Sequence, residues 1–306
     1  MNNQFMKLGE MTEDQSREMI EKLRWSDGII CPKCGSDKGA YKLQSKPESK
    51  NKMRPGLYKC KACTQKFTVT MGTIFEDSHI PLKKWLLAIH LMNASKKGIS
   101  AHQMHRMLDI TYKAAWFMAH RIRFAMTEQP LGQLLGTIEA DETYIGGKMR
   151  GGKRGRGSEN KTPVFALVER GGELRAGKVQ NVTGKTLKGI IRNNVTSDSR
   201  IMTDNFLAYK GLDKEFAGHE TVDHGAKEYV RGDAYTNTLE GWFSLLKRGV
   251  NGTFHHVSEQ HLDRYVGEFV YRYNNREMPD GERAKKAIRK TEGKRLMYKE
   301  TKEKTG

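Results

Sequence analysis

The sequence predicts a mixed α/β fold, a sheet layered with helices, preceded by a small cysteine-bearing module and a helical block. Three observations carry this. All four cysteines fall in a turn-rich stretch between residues 31 and 63. Residues 81–127 place apolar side chains at helical spacing. From about residue 136 the period changes to three consecutive strand-like runs, then to helix–strand alternation. The expected organisation is an N-terminal helix over 1–27, the cysteine module over 28–78, the helical block over 79–130, the α/β domain over 131–276 and a basic, flexible tail over 277–306.

The charge points to the partner. Lys and Arg exceed Asp and Glu by 54 to 36, a net charge of +18, with a pI near 9.7. Nucleic acid is the favoured explanation, because each phosphate a protein neutralises releases condensed counterions. An anionic membrane is the weaker one, since it calls for a basic amphipathic helix with an apolar opposite face. Here the basic stretches are Gly-rich or turn-rich. No run approaches the roughly 18 apolar residues of a membrane span, and the start lacks a signal peptide's apolar region. A cytoplasmic protein with no membrane partner is expected.

In chain order, Thr12-Glu13-Asp14-Gln15 has capping-box spacing and opens a helix carrying Met19, Ile20 and Leu23 on one face. Cys31-Pro32-Lys33-Cys34 and Cys60-Lys61-Ala62-Cys63 follow, two CxxC pairs 25 residues apart. Two such turns present four thiolates tetrahedrally to one zinc and leave no open position, so a structural Zn²⁺ on Cys31, Cys34, Cys60 and Cys63 is expected. Disulfides would need an oxidising compartment, and a redox CxxC would need a βαβ setting. Such a zinc ribbon serves folding and DNA contact, not catalysis.

Pro81 suits the first turn of a helix through Trp85, Leu86, Ile89 and Met92. Ser100–Gln103 is a second capping spacing, and after a break at 109–111 a further helix runs from Tyr112 to Met126. Two short helices around a tight turn form a helix-turn-helix, with Lys113, His120, Arg121 and Arg123 as candidate DNA contacts. An ordinary helical hairpin with solvated charges fits the same pattern; the neighbouring ribbon and the surplus charge favour DNA.

Strands are expected at Thr137–Ile145, Pro163–Glu169 and Leu174–Val182, with Gly171-Gly172 as a hairpin turn. A helix (Lys185–Asn194), strands at Arg200–Asp204 and Glu220–His224, and helices over 238–248 and 258–275 complete the domain. Between the first two strands, Gly146–Lys161 holds six glycines and six basic residues. It reads as a loop that orders on phosphate, through Lys148, Arg150, Lys153, Arg154 and Arg156, or as a solvated linker. His224, His255, His256 and His261 lack zinc-enzyme spacing. Tyr265, Phe269, Tyr271 and Tyr273 read as core.

Asp141 lies inside the first strand, Asp204 ends a later one, and Glu240 begins a helix with 35 residues between it and Asp204. Lys247 follows two turns along on the same face. Three hard oxygen donors from two strands and a helix can hold two Mg²⁺ (or Mn²⁺) for in-line phosphoryl displacement. Each has a plain reading. Asp141 between Glu139 and Glu142 suits a solvated face, Asp204-Asn205 suits a turn, and Asn237 with Glu240 suits a capping box. Their order along the chain, with the lysine, is the ribonuclease-H-like arrangement of polynucleotidyl transferases.

The sequence resembles DDE-type bacterial insertion-sequence transposases, in particular the ISXO2-like family with its N-terminal zinc ribbon. The segments that carry the likeness are Glu139–Lys148, Thr203-Asp204, Tyr229–Asp233, Asn237–Gly249 and Gly252–Ser258. The resemblance implies that Asp141, Asp204 and Glu240 are metal ligands, with Asn237 the alternative at the third position. It also implies metal-dependent 3′-end cleavage at terminal inverted repeats, strand transfer into target DNA, and a homodimer or larger synapse. Two other readings stay open: a zinc-ribbon and helix-turn-helix regulator with an inert nuclease fold, and a ribonuclease-H-like nuclease without strand transfer.

Overall fold

The computed structural model describes residues 4–45, 48, 50, 52–146, 161–222 and 235–301. The chain divides into two compact units: Met1–Ser95, Ile99–Met126 and Met278–Glu303 form one, and Lys96–Gly98, Thr127–Glu277 and Lys304–Gly306 the other. No helix among the described residues is long and apolar enough to cross a membrane.

The first unit begins with α1 (Gln4–Glu10) and α2 (Glu13–Arg24). The capping box forms as the spacing requires: Gln15 N–H donates to Thr12 Oγ1 at 3.2 Å, and Thr12 N–H to Gln15 Oε1 at 2.8 Å. A three-stranded antiparallel sheet follows, β1 (Ala40–Lys42), β2 (Tyr58–Cys60) and β3 (Lys66–Phe67). Its small core is aromatic, with Trp25 edge-on to Tyr58 at 5.1 Å and to Phe67 at 6.0 Å.

Helix α3 (Leu82–Ala94) buries Trp85, Leu86, Ile89 and Met92. Pro81 stands one residue earlier than expected, at the N-cap, and has no side chain to cap with. Glu13 of α2 does so instead, accepting from Leu82 N–H at 2.8 Å and Lys83 N–H at 3.3 Å. Three residues join α4 (Ala101–Leu108) to α5 (Tyr112–Met126), the first being Asp109 in a left-handed conformation at φ 48°.

The C-terminal segment differs from expectation. Asp280–Arg289 is a helix, α9, and not a frayed tail. Its buried stripe is Ala284, Ala287 and Ile288 with Arg283, whose guanidinium donates to the Asn93 carbonyl from Nε at 3.1 Å and Nη2 at 2.9 Å. A stripe this short and partly cationic does not register as apolar periodicity.

The second unit is built on β4 (Thr137–Gly146), β5 (Lys161–Glu169), β6 (Leu174–Lys178), β7 (Arg200–Asp204) and β8 (Gly218–Val222), in the order β6-β5-β4-β7-β8. The first three strands are antiparallel; β4–β7 and β7–β8 are parallel. This mixed sheet is the ribonuclease-H-like arrangement. Helix α6 (Gly184–Asn194) covers one face, packing Leu187 and Ile191 with Ile138, Ala140 and Ile201. Helices α7 (Asn237–Gly249) and α8 (Leu262–Asn274) cover the other, where Leu239, Trp242, Leu246 and Phe269 meet Ile145, Val164 and Ala166. Helix α8 starts later than its periodicity suggests, after a short 3₁₀ turn at Glu259–His261. Tyr265, Phe269 and Tyr271 are buried, as expected of core residues.

Candidate active site

Alternation along β4 decides which acids share a face. Ile138 and Ala140 join the α6 core, so Glu139, Asp141, Thr143 and Ile145 point toward α7 and α8. The parallel ladder between β4 and β7 pairs Thr137 with Arg200, Ile138 with Ile201 and Glu139 with Met202. Two residues further along both strands stand Asp141 and Asp204. They lie beyond the last paired rung, and alternation from the paired residues turns both side chains toward the α7 face.

The electrostatics agree with this placement. The Asp141 carboxyl is pushed up to about 8, first by burial and then by the negative charges of Glu142, Asp204 and Glu240. Asp141 and Glu240 line one cavity of 990 Å³ together with Lys247. The Lys247 ammonium is lowered by partial desolvation, an effect opposed by the Asp141 charge and reinforced by Lys161. Asp204 Oδ1 accepts from Phe206 N–H at 3.0 Å and Asp141 Oδ1 from Glu142 N–H at 2.8 Å. Among the described residues, the four cysteines are the one group of three or more metal-ligand side chains whose donor atoms all lie within 4.8 Å of one another. The neighbouring acids raise the affinity of Asp141 for a proton, and a hard divalent cation would offset that mutual repulsion. Asn237 is exposed at the start of α7, a turn before Glu240.

Sequence reasoning passed over the residue that fixes α7. Glu139 is fully buried. Its Oε2 accepts from Thr238 N–H at 3.0 Å and Leu239 N–H at 3.2 Å, and its Oε1 from Thr238 Oγ1 at 2.9 Å and Arg170 Nε at 3.1 Å. The sheet thus caps the helix that carries Glu240. The N-cap position falls on Thr236, whose side chain makes no cap hydrogen bond, and Asn237 is already the first helical residue, so the expected capping box gives way to this cross-element cap. On the opposite face Glu142 is buried and accepts from Tyr209 Oη at 2.6 Å.

The zinc ligands converge. Cys31 and Cys63 Sγ are 3.8 Å apart, as are Cys34 and Cys60 Sγ. A tetrahedral thiolate site with Zn–S near 2.3 Å demands about 3.8 Å. Cys60 is pulled down to about 7, chiefly by the Cys63 N–H and further by that of Ala62. The four residues fit a structural zinc.

The expected DNA contacts fare unevenly. Lys113 is exposed at the start of α5, its ammonium 4.8 Å from the Tyr298 ring centroid. Arg121 and Arg123 are buried, so they do not offer the solvent-facing contacts expected of them; His120 is buried as well. Arg121 donates to the carbonyls of Leu296 at 3.1 Å and Glu76 at 2.7 Å and lies over Phe117, which holds α5 within its own unit. Lys148, Arg150, Lys153, Arg154 and Arg156 lie outside the described residues, as do His224 and Tyr229–Asp233.

The chain is similar to known proteins. Residues 133–274 match the ISXO2-like transposase domain, and residues 11–66 match the transposase zinc-ribbon domain. An uncharacterized protein in transposable element ISH50 of Halobacterium salinarum is 30% identical over 301 residues, covering 92% of this chain and 97% of that one. An uncharacterized transposase-like protein of Haemophilus influenzae is 31% identical over 100 residues, 33% of this chain and 80% of its own. Among solved structures, a pre-cleavage Mos1 transpososome aligns over 96% of this chain and 98% of that chain at 11% identity, with a TM-score of 0.26, too low to speak for a shared fold.

Proposed function

The chain belongs to the ISXO2-like transposase family, and from that premise we propose a DNA transposase that cleaves the 3′ ends of its own insertion sequence and joins them to target DNA. The observation that supports the reading is that Asp141 and Glu240 line one groove, with the charges of Asp204 and Glu240 acting on Asp141 from the neighbouring strand and helix. Asp141, Asp204 and Glu240 would hold two Mg²⁺ or Mn²⁺. When bound, these cations activate the attacking oxygen and offset the charge that builds on the phosphate.

The chain's own groups do the remainder. Asp141, raised first by burial and then by the neighbouring carboxylates, would have to be ionised to serve as a ligand. Lys247, on the groove wall, holds a phosphate oxygen and steadies the scissile bond. Glu139 and Arg170 keep the start of α7, and so Glu240, against β4. Water attacks the phosphodiester at the element end and frees a 3′-hydroxyl, which then attacks a phosphodiester of the target. Each step exchanges one P–O bond for another, so no nucleotide cofactor is needed. The zinc ribbon and the α4–α5 pair bind the terminal inverted repeats, and a dimer or larger assembly in the cytoplasm holds two double-stranded ends together.

Incubating the protein with Mg²⁺, a labelled duplex of the element end and a plasmid tests this. Wild type is expected to give joined product and Asp204→Ala none. Joining by Asp204→Ala at the wild-type rate would overturn the catalytic assignment. Cleavage without joining by wild type would leave a nuclease.

A further inference from the structure

We propose that Lys97, with the turn Val250–Phe254, forms a phosphate-binding subsite on the rim of the active groove, and that this subsite takes the sugar–phosphate backbone of the DNA strand being processed. The proposal rests on the transposase reading and adds to it a contact from a segment remote in sequence from every acid of the site.

The three residues Lys96–Gly98 are counted with the sheet unit although the chain on either side belongs to the other unit. Each of the three is fixed there. The Lys96 carbonyl accepts from Arg272 Nη1 of α8 at 3.4 Å. The Lys97 carbonyl lies so close to Gly249 of α7 that a Cβ on that glycine would stand 2.9 Å from it. Gly98 adopts φ +85°, and a Cβ there would stand 2.4 Å from Phe254 Cζ. Phe254 is itself held edge-on against Tyr265 of α8, centroids 4.8 Å apart. Backbone contact this close tolerates only glycine at 98 and 249.

What the pinned loop presents is a cation. Lys97 is exposed, and it lines the same 990 Å³ cavity as Asp141, Glu240 and Lys247, with Asn251 and Thr253 beside it. The turn that supplies those two is a π-helical extension of α7 (Val250–Phe254), ended by His255 at φ 62°. Widened turns of this kind recur at functional sites. The acids would take a phosphodiester only through bound cations, whereas ammonium, amide and hydroxyl groups on the rim suit non-bridging phosphate oxygens directly. A backbone held on three sides and carrying an exposed lysine fits a contact that positions the strand without reading bases.

Equilibrium binding of the labelled end duplex across a KCl series, with joining kinetics in parallel, tests the subsite on wild type, Lys97→Ala, Lys97→Arg and Gly98→Ala. Losing one phosphate contact is expected to reduce the steepness of the log K against log salt line by about one. Lys97→Ala is expected to raise KM for the end duplex several-fold while kcat stays within about twofold, as for a contact made equally before and during reaction. Lys97→Arg restores both. Gly98→Ala, which pushes the loop off Phe254, is expected to match Lys97→Ala without any change of charge. Excess inorganic phosphate competes only if the subsite takes free anions, and no competition at matched ionic strength is expected. A Lys97→Ala protein with wild-type salt slope, KM and melting temperature overturns the proposal. If wild type joins nothing, the transposase reading fails, while the salt slope still reports on the Lys97 contact.

Discussion

Replacing Glu139 by alanine strikes the base of the site without touching a proposed ligand. The carboxylate is fully buried and accepts from two backbone amides of α7, the Thr238 hydroxyl and the Arg170 guanidinium. Arg170 is itself anchored, donating to the Tyr235 carbonyl at 2.8 Å and lying 3.5 Å from the Tyr235 ring centroid. Loss of a helix cap costs about 0.5–2 kcal/mol. Removing one partner of a buried ion pair costs about 3–5 kcal/mol, because the other charge stays behind. One carboxylate serves both roles, so the two costs overlap and the expected loss is about 3–5 kcal/mol. Gln keeps the shape but must turn its NH₂ toward one pair of donors, for an expected loss of about 1–3 kcal/mol. Urea unfolding followed by Trp242, buried in α7, measures the loss. Hydrogen exchange at Thr238 and Leu239 shows whether the helix start has frayed. A loss below about 1 kcal/mol, with both amides protected as in wild type, would refute the cap.

Other expectations follow from the same geometry. With the Asp141 carboxyl raised to about 8 from its ordinary 3.8, the folded chain holds a proton that the unfolded chain has lost. Its contribution to stability is therefore full below pH 4 and lost as pH rises to 8, by at most about 6 kcal/mol at roughly 1.36 kcal/mol per unit. In magnesium-free buffer, melts from pH 5 to 8 should show wild type falling relative to Asp141→Asn, with Mg²⁺ closing the gap at pH 8; parallel curves would contradict it. Chelating zinc should release one Zn²⁺ per chain, measured by a colorimetric indicator, and expose Trp25 to solvent as its contacts with Tyr58 and Phe67 dissolve. An unchanged Trp25 emission maximum would separate the ribbon's fold from its metal. Lys247→Ala is expected to lower kcat/KM for joining by about tenfold or more, and wild-type kinetics would remove it from the site.

Much of the site was legible in the sequence because its parts sit in elements with strong local signals. Asp141 and Asp204 occupy apolar, strand-forming runs, and β7 forms with the bounds its pattern suggests. The cysteine spacing alone gives the metal centre that the sulfur distances bear out. Glu139 was not legible, because alternation says which residues share a face and not which face a helix will cover. A buried acid that caps a helix 99 residues on therefore looks like one of a solvated row. Arg121 and Arg123 misled for the same reason in reverse: long basic side chains can bury their stems and spend their charge on carbonyls, as Arg121 does on Leu296 and Glu76. Helix α9 escaped notice because Arg283 does part of the packing usually done by an apolar residue.

Iron-directed cleavage of the polypeptide tests the convergence of the three acids most directly. Fe²⁺ substituted at a Mg²⁺ site generates hydroxyl radicals that cut the backbone within reach of the ion. Ascorbate and peroxide are expected to cut the end-labelled chain near residues 141, 204 and 240 together, with all three cuts suppressed by excess Mg²⁺ and by Asp204→Ala. Cuts at only one of these segments, or three cuts that Asp204→Ala leaves untouched, would mean that the carboxylates do not share a metal centre.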